Sequence, residues 1–476
     1  MIRKTVIISC LFSAFATLCG CATVDPRHDY DRVGKRIAEA TGQERVYQPE
    51  DDALVAEMVD VLSQDGTTAA EAVEICLLNN PTLHAAFMGV GMARADVVQA
   101  GLFTNPFIGI SARFPDGGGL ANIEASVAQN IAELWQIPVR KRAAERSLDR
   151  AILDLARTAA GLAAEAKVAY YVAVGADERH RIAQENLVIA QDLLELSLAR
   201  QEAGAANELD VNLSRSLALN ADVEVERSRL ASADARRALA TLLGLVSQAD
   251  GLVLVDPLPG AYPKIADAPS LVELAKGWRL DLRAAREAVA LAQAQLEEQY
   301  RLIFPVVELG LELEREERRS AGGQDTIFGP SLGVELPIFD QNQAQIAKAQ
   351  YALRQARKTL DAFDRAVTQE VRSAVDRALT AWRLMQKFRE QSIPLAQRNL
   401  ELSREAYRAG RASFLSVLEA QRFSLEARSG LVSAAQTAAT AVPELERTIG
   451  LPFAKLLAQL NAEPAQGTKA GEKVEP

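Results

Sequence analysis

Ala203-Gly204-Ala205-Ala206-Asn207-Glu208-Leu209-Asp210-Val211 recurs 206 residues later as Ala409-Gly410-Arg411-Ala412-Ser413-Phe414-Leu415-Ser416-Val417. In each copy a glycine suited to ending a helix is followed, three residues on, by a residue suited to capping the next: Gly204 with Asn207, Gly410 with Ser413. Leu243-Gly244 recurs as Ile449-Gly450 at the same offset of 206. Upstream, Asn105-Pro106 recurs as Phe304-Pro305 and Ile137-Pro138 as Leu336-Pro337, both at an offset of 199. The drift of seven residues is about two α-helical turns, and it falls between Pro337 and Gly410. An insertion of that size keeps a helix's apolar stripe on one side, so the second copy is expected to carry helices two turns longer. The chain reads as one long supersecondary unit written twice.

The helices meeting at these turns are long. No proline occurs between Pro138 and Pro257, and residues 139–203 are rich in Ala, Leu, Glu and Arg, all strong helix formers. Such a helix would be on the order of 100 Å long at ~1.5 Å per residue. Its partner follows Asn207, giving a helical pair over 139–244. The second copy repeats the pair over 338–450, with Pro394 marking a kink or break. Ahead of each pair the period changes to two. Val307, Leu309, Leu311 and Leu313 alternate with Glu308, Gly310, Glu312 and Glu314, and Leu332, Val334 and Leu336 with Ser331, Gly333 and Glu335. In the first copy Ile108, Ile110 and Ala112 alternate with Gly109, Ser111 and Arg113, and Ile123, Ala125 and Val127 with Glu124, Ser126 and Ala128. These segments read as strand hairpins over about 105–137 and about 305–337, turned at Pro115-Asp116-Gly117-Gly118-Gly119 and near Gly322-Gly323. Strands of roughly ten residues have the length a tilted membrane strand needs. Before the hairpins, Thr67 or Thr68 caps a helix through Leu78, Pro81 opens the next, and Pro269-Ser270 marks the corresponding start in the second copy.

The N-terminus reads as a targeting segment. Arg3 and Lys4 precede an apolar run over residues 5–18, about as long as a signal-peptide core and too short to span a bilayer. It ends in Leu18-Cys19-Gly20-Cys21, which resembles a bacterial lipoprotein cleavage box. On that reading residues 1–20 are the signal peptide and Cys21 carries a covalent lipid; an ordinary secretory signal is the alternative. Residues 21–66 read as a polar, lipid-anchored lead broken by Pro26, Gly34, Gly42 and Pro49, and 462–476 as a disordered tail. The repeats occupy 67–260 and 261–461.

Of four cysteines, Cys10, Cys19 and Cys21 belong to that N-terminal segment and Cys76 alone lies in the body of the chain, which excludes an intramolecular disulfide there. His28, His84 and His180 are scattered without ligand spacing, and Gly89-Val90-Gly91 lacks a third glycine and a preceding strand. HExxH, P-loop and nucleophile-elbow patterns are absent from the sequence, so the expectation is a chain with no catalytic residues, no metal centre and no cofactor besides the lipid on Cys21. A net charge of −10 argues against nucleic acid as partner.

Four amphipathic strands cannot span a membrane alone, because two open edges would leave backbone groups unpaired in hydrocarbon. Such barrels need at least eight strands, so four must either join those of other chains or stay out of lipid. The helices far exceed a bilayer's thickness and must extend into water. A barrel continued by a helical tube satisfies both constraints, with Glu308, Glu312, Glu314 and Glu335 lining the lumen.

The residues resemble the outer-membrane factors of efflux and secretion machines, the TolC-like family. The carriers are Glu71-Ala72-Val73, Asn79-Asn80-Pro81, Ala169-Tyr170-Tyr171 and residues 203–211, duplicated in register through 409–422. The resemblance implies a mainly α fold with a membrane β part: an internally duplicated α/β-barrel duct, four strands per chain in a trimeric twelve-stranded β-barrel continued by a periplasmic α-helical barrel. It also implies a homotrimer in the outer-membrane lipid, served by a periplasmic adaptor protein and an inner-membrane resistance–nodulation–division (RND) transporter. Within the family, Glu133-Leu134-Trp135, Val139-Arg140-Lys141-Arg142 and Leu336-Pro337-Ile338-Phe339-Asp340-Gln341-Asn342-Gln343 are most similar to the heavy-metal cation (CzcC-like) subgroup. Gln136-Ile137-Pro138 departs from that subgroup's glycine-containing turn.

The resemblance further implies a gate at the tips. Tyr407 and Asp210 match the tyrosine and aspartate of the family's latch; the latch arginine falls at Ala412, with Arg411 adjacent. Two acidic constriction positions fall at Ser416 and Glu419, of which Glu419 alone keeps the charge. The turns at Gly204, Asn207, Gly410 and Ser413 would meet adaptor or pump. Plainer readings stand beside these: Asp210 as a helix-terminus carboxylate, Glu419 as a solvated helix residue, Tyr407 as a packing residue. A duct for drugs or secreted proteins, or a pore-less lipid-anchored coiled-coil scaffold, are the alternatives for the whole chain.

Overall fold

The computed structural model describes residues 22–456 apart from 51, 115, 118–119, 261–266, 304–305 and 318–323. The signal peptide, Cys21, the Gly322-Gly323 turn, Pro115, Gly118, Gly119, Pro305 and the tail lie outside the described residues.

The lead is not a polar strap. It folds as α1 (Arg27–Thr41) and α2 (Asp52–Gln64), and Val33, Ile37, Val55 and Val59 are buried. Val33 with Ile37 and Val55 with Val59 are apolar pairs four residues apart, a spacing that puts each pair on one helix face and overrides Gly34. Asp29 of α1 is fully buried and accepts from Arg94 at 2.5 and 2.7 Å.

Each copy then runs helix, helix, strand, strand and long helical pair. The first has α3 (Ala69–Asn79), α4 (Pro81–Ala100), β1 (Phe107–Arg113), β2 (Asn122–Asn130), α5 (Glu133–Glu202) and α6 (Glu208–Leu243). The second has α7 (Ala268–Trp278), α8 (Leu280–Arg301), β3 (Val307–Glu317), β4 (Gln324–Val334), α9 (Gln343–Lys387), a π-helical turn (Phe388–Ser392), α10 (Ile393–Arg408) and α11 (Phe414–Ile449). Thr68 caps α3 in a capping box: its hydroxyl accepts from the Glu71 N–H at 3.2 Å, and the Glu71 carboxylate accepts from the Thr68 N–H at 2.8 Å. Pro81 opens α4 as expected, and Asp267 caps α7 ahead of Pro269.

The long pairs depart from expectation in three places. Helix α5 starts at Glu133, so residues 133–137 belong to it and not to the hairpin, and Pro138 sits within its second turn. In the second copy the chain stays irregular over 335–342, with Asn342 at φ 59°, and the helix begins at Gln343 instead of Ile338. The extra residues therefore lengthen this link and not the helices: segments of 45, 5 and 16 residues make 66, against 70 in α5. Pro394 does not break the helix. The turn before it widens to π geometry, in which the Ile393 N–H reaches the Phe388 carbonyl, and the Phe388 ring occupies the space Gly430 of α11 leaves open.

Gly244 and Gly450 end α6 and α11 at φ 72° and 84°. A Cβ on Gly244 would lie 2.5 Å from the Asn79 carbonyl oxygen. Gly244→Ala is expected to cost about 2–5 kcal/mol, the left-handed penalty plus backbone overpacking. A lowered denaturant midpoint in detergent checks it; an unchanged midpoint refutes it.

The four strands form one antiparallel sheet in the order β1-β2-β3-β4. The chain divides into two compact units. One, which contains the sheet, comprises the described residues up to Asp31, Met88–Ile152 and Ala284–Asp361; the other, which contains both tip turns, comprises Arg32–Phe87, Leu153–Arg283 and the described residues from Ala362. Leu271, Val272, Val367, Val371, Leu445 and Ile449 form a core cluster of the second. Among the described residues no helix is long and apolar enough to cross a membrane.

Candidate channel lining and tip turns

The register sorts every strand residue onto one of two faces. Ile108 lies opposite Val127, Val127 opposite Leu311, Leu309 opposite Leu332, and Leu313 opposite Phe328. Period-two alternation therefore makes one continuous apolar face across all four strands. Its side chains are exposed: Ile110 at 77%, Leu309 at 51% and Leu332 at 67%. An exposed apolar band of this extent marks a surface built to be covered by something apolar.

The other face is acidic. Glu308 lies opposite Gly333, Glu312 between Ser126 and Gly329, and Glu314 between Glu124 and Ile327. Glu335 follows the last residue of β4, and its N–H extends the pairing by donating to the Val306 carbonyl at 3.2 Å. Glu124 belongs to this face too, although sequence reasoning did not single it out; the alternation with Ile123 and Ala125 was the available signal. Its carboxylate accepts from Arg113 at 2.9 Å, and Asn122 donates to Glu314 at 3.1 Å.

Both tips close by the same backbone geometry. The Ala205 N–H donates to the Arg200 carbonyl at 2.7 Å and Gly204 N–H to Gln201 at 2.9 Å; Arg411 donates to Ala406 at 2.8 Å and Gly410 to Tyr407 at 2.9 Å. Gly204 and Gly410 have φ of 69° and 70°, the left-handed conformation this double closure needs. The caps differ. Asn207 accepts from the Asp210 N–H at 2.9 Å, whereas Ser413 occupies the N-cap position without a side-chain cap bond, its hydroxyl lying 3.3 Å from that of Ser416.

The implied Tyr407–Asp210 link is not formed within the chain. Tyr407 is 3% exposed and packs against Leu193, Phe414 and Val417, and its hydroxyl has no hydrogen-bond partner among the described residues. Its ring is covered instead by Arg200 of α5, whose Cζ lies 4.6 Å from the ring centroid. Packing and a cation–π contact have captured the ring. The Nε atoms of Arg200 and Arg404 are likewise buried without a partner among the described residues. Each such donor costs about 1–3 kcal/mol, so the arrangement is held by strong contacts against a local penalty. Arg404 donates to Gln421 at 3.3 Å, and Gln421 to Asn186 at 2.9 Å.

Glu419 is exposed on α11, one turn before Arg422. Arg422 donates to Glu426 at 3.0 Å, and that bond, followed by the charges of Glu426 and Glu419, raises its pKa. Glu419 thus heads a row of alternating charge and does not stand alone. Arg411 is exposed, and neither it nor Asp210 has a side-chain partner among the described residues. Leu209 and Leu415, equivalent in the two copies, are exposed at 64% and 58% just beyond the tip turns. Arg200, Arg404 and Arg422 were missed because an arginine on a long charged helix gives no sign in sequence of what it meets.

A family model described as outer membrane efflux protein matches residues 72–245 and 271–451. The chain is 26% identical over 381 residues to the pyoverdine export outer membrane protein OpmQ of Pseudomonas putida, covering 75% of this chain and 80% of that one. It is 25% identical over 318 residues to the cobalt-zinc-cadmium resistance protein CzcC of Cupriavidus metallidurans, covering 65% and 73%. The fold matches the solved outer-membrane channel OprN with a TM-score of 0.67 at 20% identity, covering 87% of this chain and 95% of that one.

Proposed function

Because the chain belongs to the outer membrane efflux protein family, whose members are channels of the Gram-negative outer membrane extending into the periplasm, we propose that it is the homotrimeric exit duct of a tripartite system. An inner-membrane RND transporter supplies the energy, a periplasmic adaptor docks at the tip turns, and the duct conducts passively without chemistry of its own. The observation that carries this reading is the sheet: four strands, one continuous apolar face, one acidic face and outer edges on β1 and β4. Three such sheets joined edge to edge make a closed barrel of twelve strands, which removes the edges that lipid cannot satisfy. Lipid on Cys21 anchors each chain.

Heavy-metal cations are the proposed cargo. Similarity to the cobalt-zinc-cadmium resistance protein supports this, as does the acidic row of Glu124, Glu308, Glu312 and Glu314, which concentrates cations in a lumen. Similarity to a pyoverdine export protein favours a small organic cargo as the second reading. Deleting the gene should lower tolerance to divalent metals and leave drug sensitivity and siderophore export unchanged; the reverse pattern selects the second reading. At the tips, Asp210 and Arg411 are available to neighbouring copies, and their mutual link would hold the duct closed. Asp210→Asn is then expected to raise the single-channel conductance of the purified protein in planar bilayers. Wild-type conductance in that variant removes Asp210 from the gate.

A further inference from the structure

The guanidinium of Arg200 reaches both tip turns at once. From the last turn of α5, Nη2 donates to the Ala205 carbonyl at 3.1 Å, in the turn of the first copy. Nη1 donates to the Tyr407 carbonyl at 2.9 Å, at the end of α10 in the second copy. The same group lies over the Tyr407 ring at 4.6 Å. Three contacts by one side chain thus tie helical pairs that the sequence joins only through some two hundred intervening residues.

We propose that Arg200 is the intrachain clasp of the tip, holding the second copy's α10–α11 pair against the first copy's α5–α6 pair, so that opening requires its release. The proposal rests on the duct reading and assigns Arg200 a positioning role; it does not touch cargo. Charge alone does not explain the geometry: two carbonyls in different turns are met by two nitrogens of one planar fork while the plane covers a ring, which an ammonium cannot reproduce. The carbonyls are backbone groups, so the clasp is independent of which side chains occupy the turns. Its release would also free the Tyr407 ring and the buried Nε of Arg200.

Three variants of the full-length protein, purified as assembled channels and recorded in planar bilayers, test this. Arg200→Ala is expected to raise the open fraction at least about tenfold, the factor carried by one lost charge-assisted hydrogen bond. Arg200→Lys is expected to behave like the alanine variant, and Tyr407→Phe like the wild type, because the Tyr407 hydroxyl contributes no bond. Ser197, fully buried one turn before Arg200, supplies a reading independent of conductance. A cysteine there, in a Cys76→Ala background, should react with a bulky maleimide at least about tenfold faster when Arg200→Ala is added. A conducting Arg200→Ala channel with wild-type open fraction and labelling rate overturns the clasp and leaves the duct reading intact. Full rescue by lysine overturns the bridging geometry. A wild-type protein that forms no channels overturns the duct reading, and the clasp with it.

Discussion

Arg279→Met is expected to be among the most destabilising single changes in this protein, at about 3 kcal/mol, because it leaves the half-buried Asp281 carboxylate without its cation. Arg279 follows α7 and is 9% exposed. Its guanidinium donates to Asp281 at 3.0 and 2.5 Å, to Glu370, and to the Thr448 carbonyl at 3.4 Å. It is therefore a junction where the start of α8, the middle of α9 and the end of α11 meet. Burial works to raise the Asp281 carboxyl, but the Arg279 hydrogen bond and charge and the Leu282 N–H outweigh it and hold the pKa below its usual value. A depressed carboxylate pKa stabilises the fold above its unfolded value of about 3.9 and ceases to do so as pH falls through the lowered value. In the variant the same carboxylate is half-buried without its cation. The stability gap between variant and wild type should therefore be widest near neutrality and narrow below about pH 4. Denaturant titrations in detergent at several pH values measure this. Arg279→Met with Asp281→Leu should recover most of the loss, since an apolar replacement of a buried pair is often neutral. A pH-independent gap, or no rescue, would show that the pair does not act as an electrostatic unit.

The second large effect lies in two adjacent residues of β3. Leu311 stands between Val127 and Pro330 on the apolar face, and Glu312 between Ser126 and Gly329 on the acidic one. Leu311→Arg is expected to cost about 2–4 kcal/mol per chain, the penalty for a cation on the lipid face of a barrel near the bilayer midplane. Multiplied over the chains of one barrel, that is enough to remove assembled protein from the outer membrane, as read by heat-modifiable oligomers on gels. Glu312→Gln should assemble normally and lower the cation-to-anion permeability ratio. If Leu311→Arg assembles normally, or Glu312→Gln abolishes assembly, the faces have been assigned the wrong way round.

These two cases mark how far the sequence could be read. The strands were legible because alternation is a local property: a residue's neighbours at i±1 and i±2 fix its face in any pairing, and the ladder then aligns Leu309, Leu311 and Leu313 with Val127 and Leu332 without further choice. The turns at Gly204 and Gly410 were legible for the same reason, since a left-handed residue followed by a cap is written within five positions. The lead was misread because its apolar residues are sparse, and burial of Val33 and Ile37 depends on partners that a local pattern does not contain. The seven-residue drift was placed inside the helices because α-helical phase permits it. The chain instead spends the extra residues in the irregular link before Gln343.

By itself the sequence determined the duplication, the order of elements within each copy, the two faces of every strand and the closure of both tips. All of these follow from covalent spacing and intrinsic conformational preference. Only the tertiary structure decided what the long charged side chains do. An arginine carries four rotatable side-chain torsions and up to five N–H donors, so its partner depends on which backbone carbonyl or carboxylate packing brings within reach. That is why, within the chain, Tyr407 is held by Arg200 and not by Asp210, and why Arg279 joins three helices beside their hydrophobic contacts. Local pattern specifies the parts; packing over two hundred residues of separation selects the contacts that hold them together.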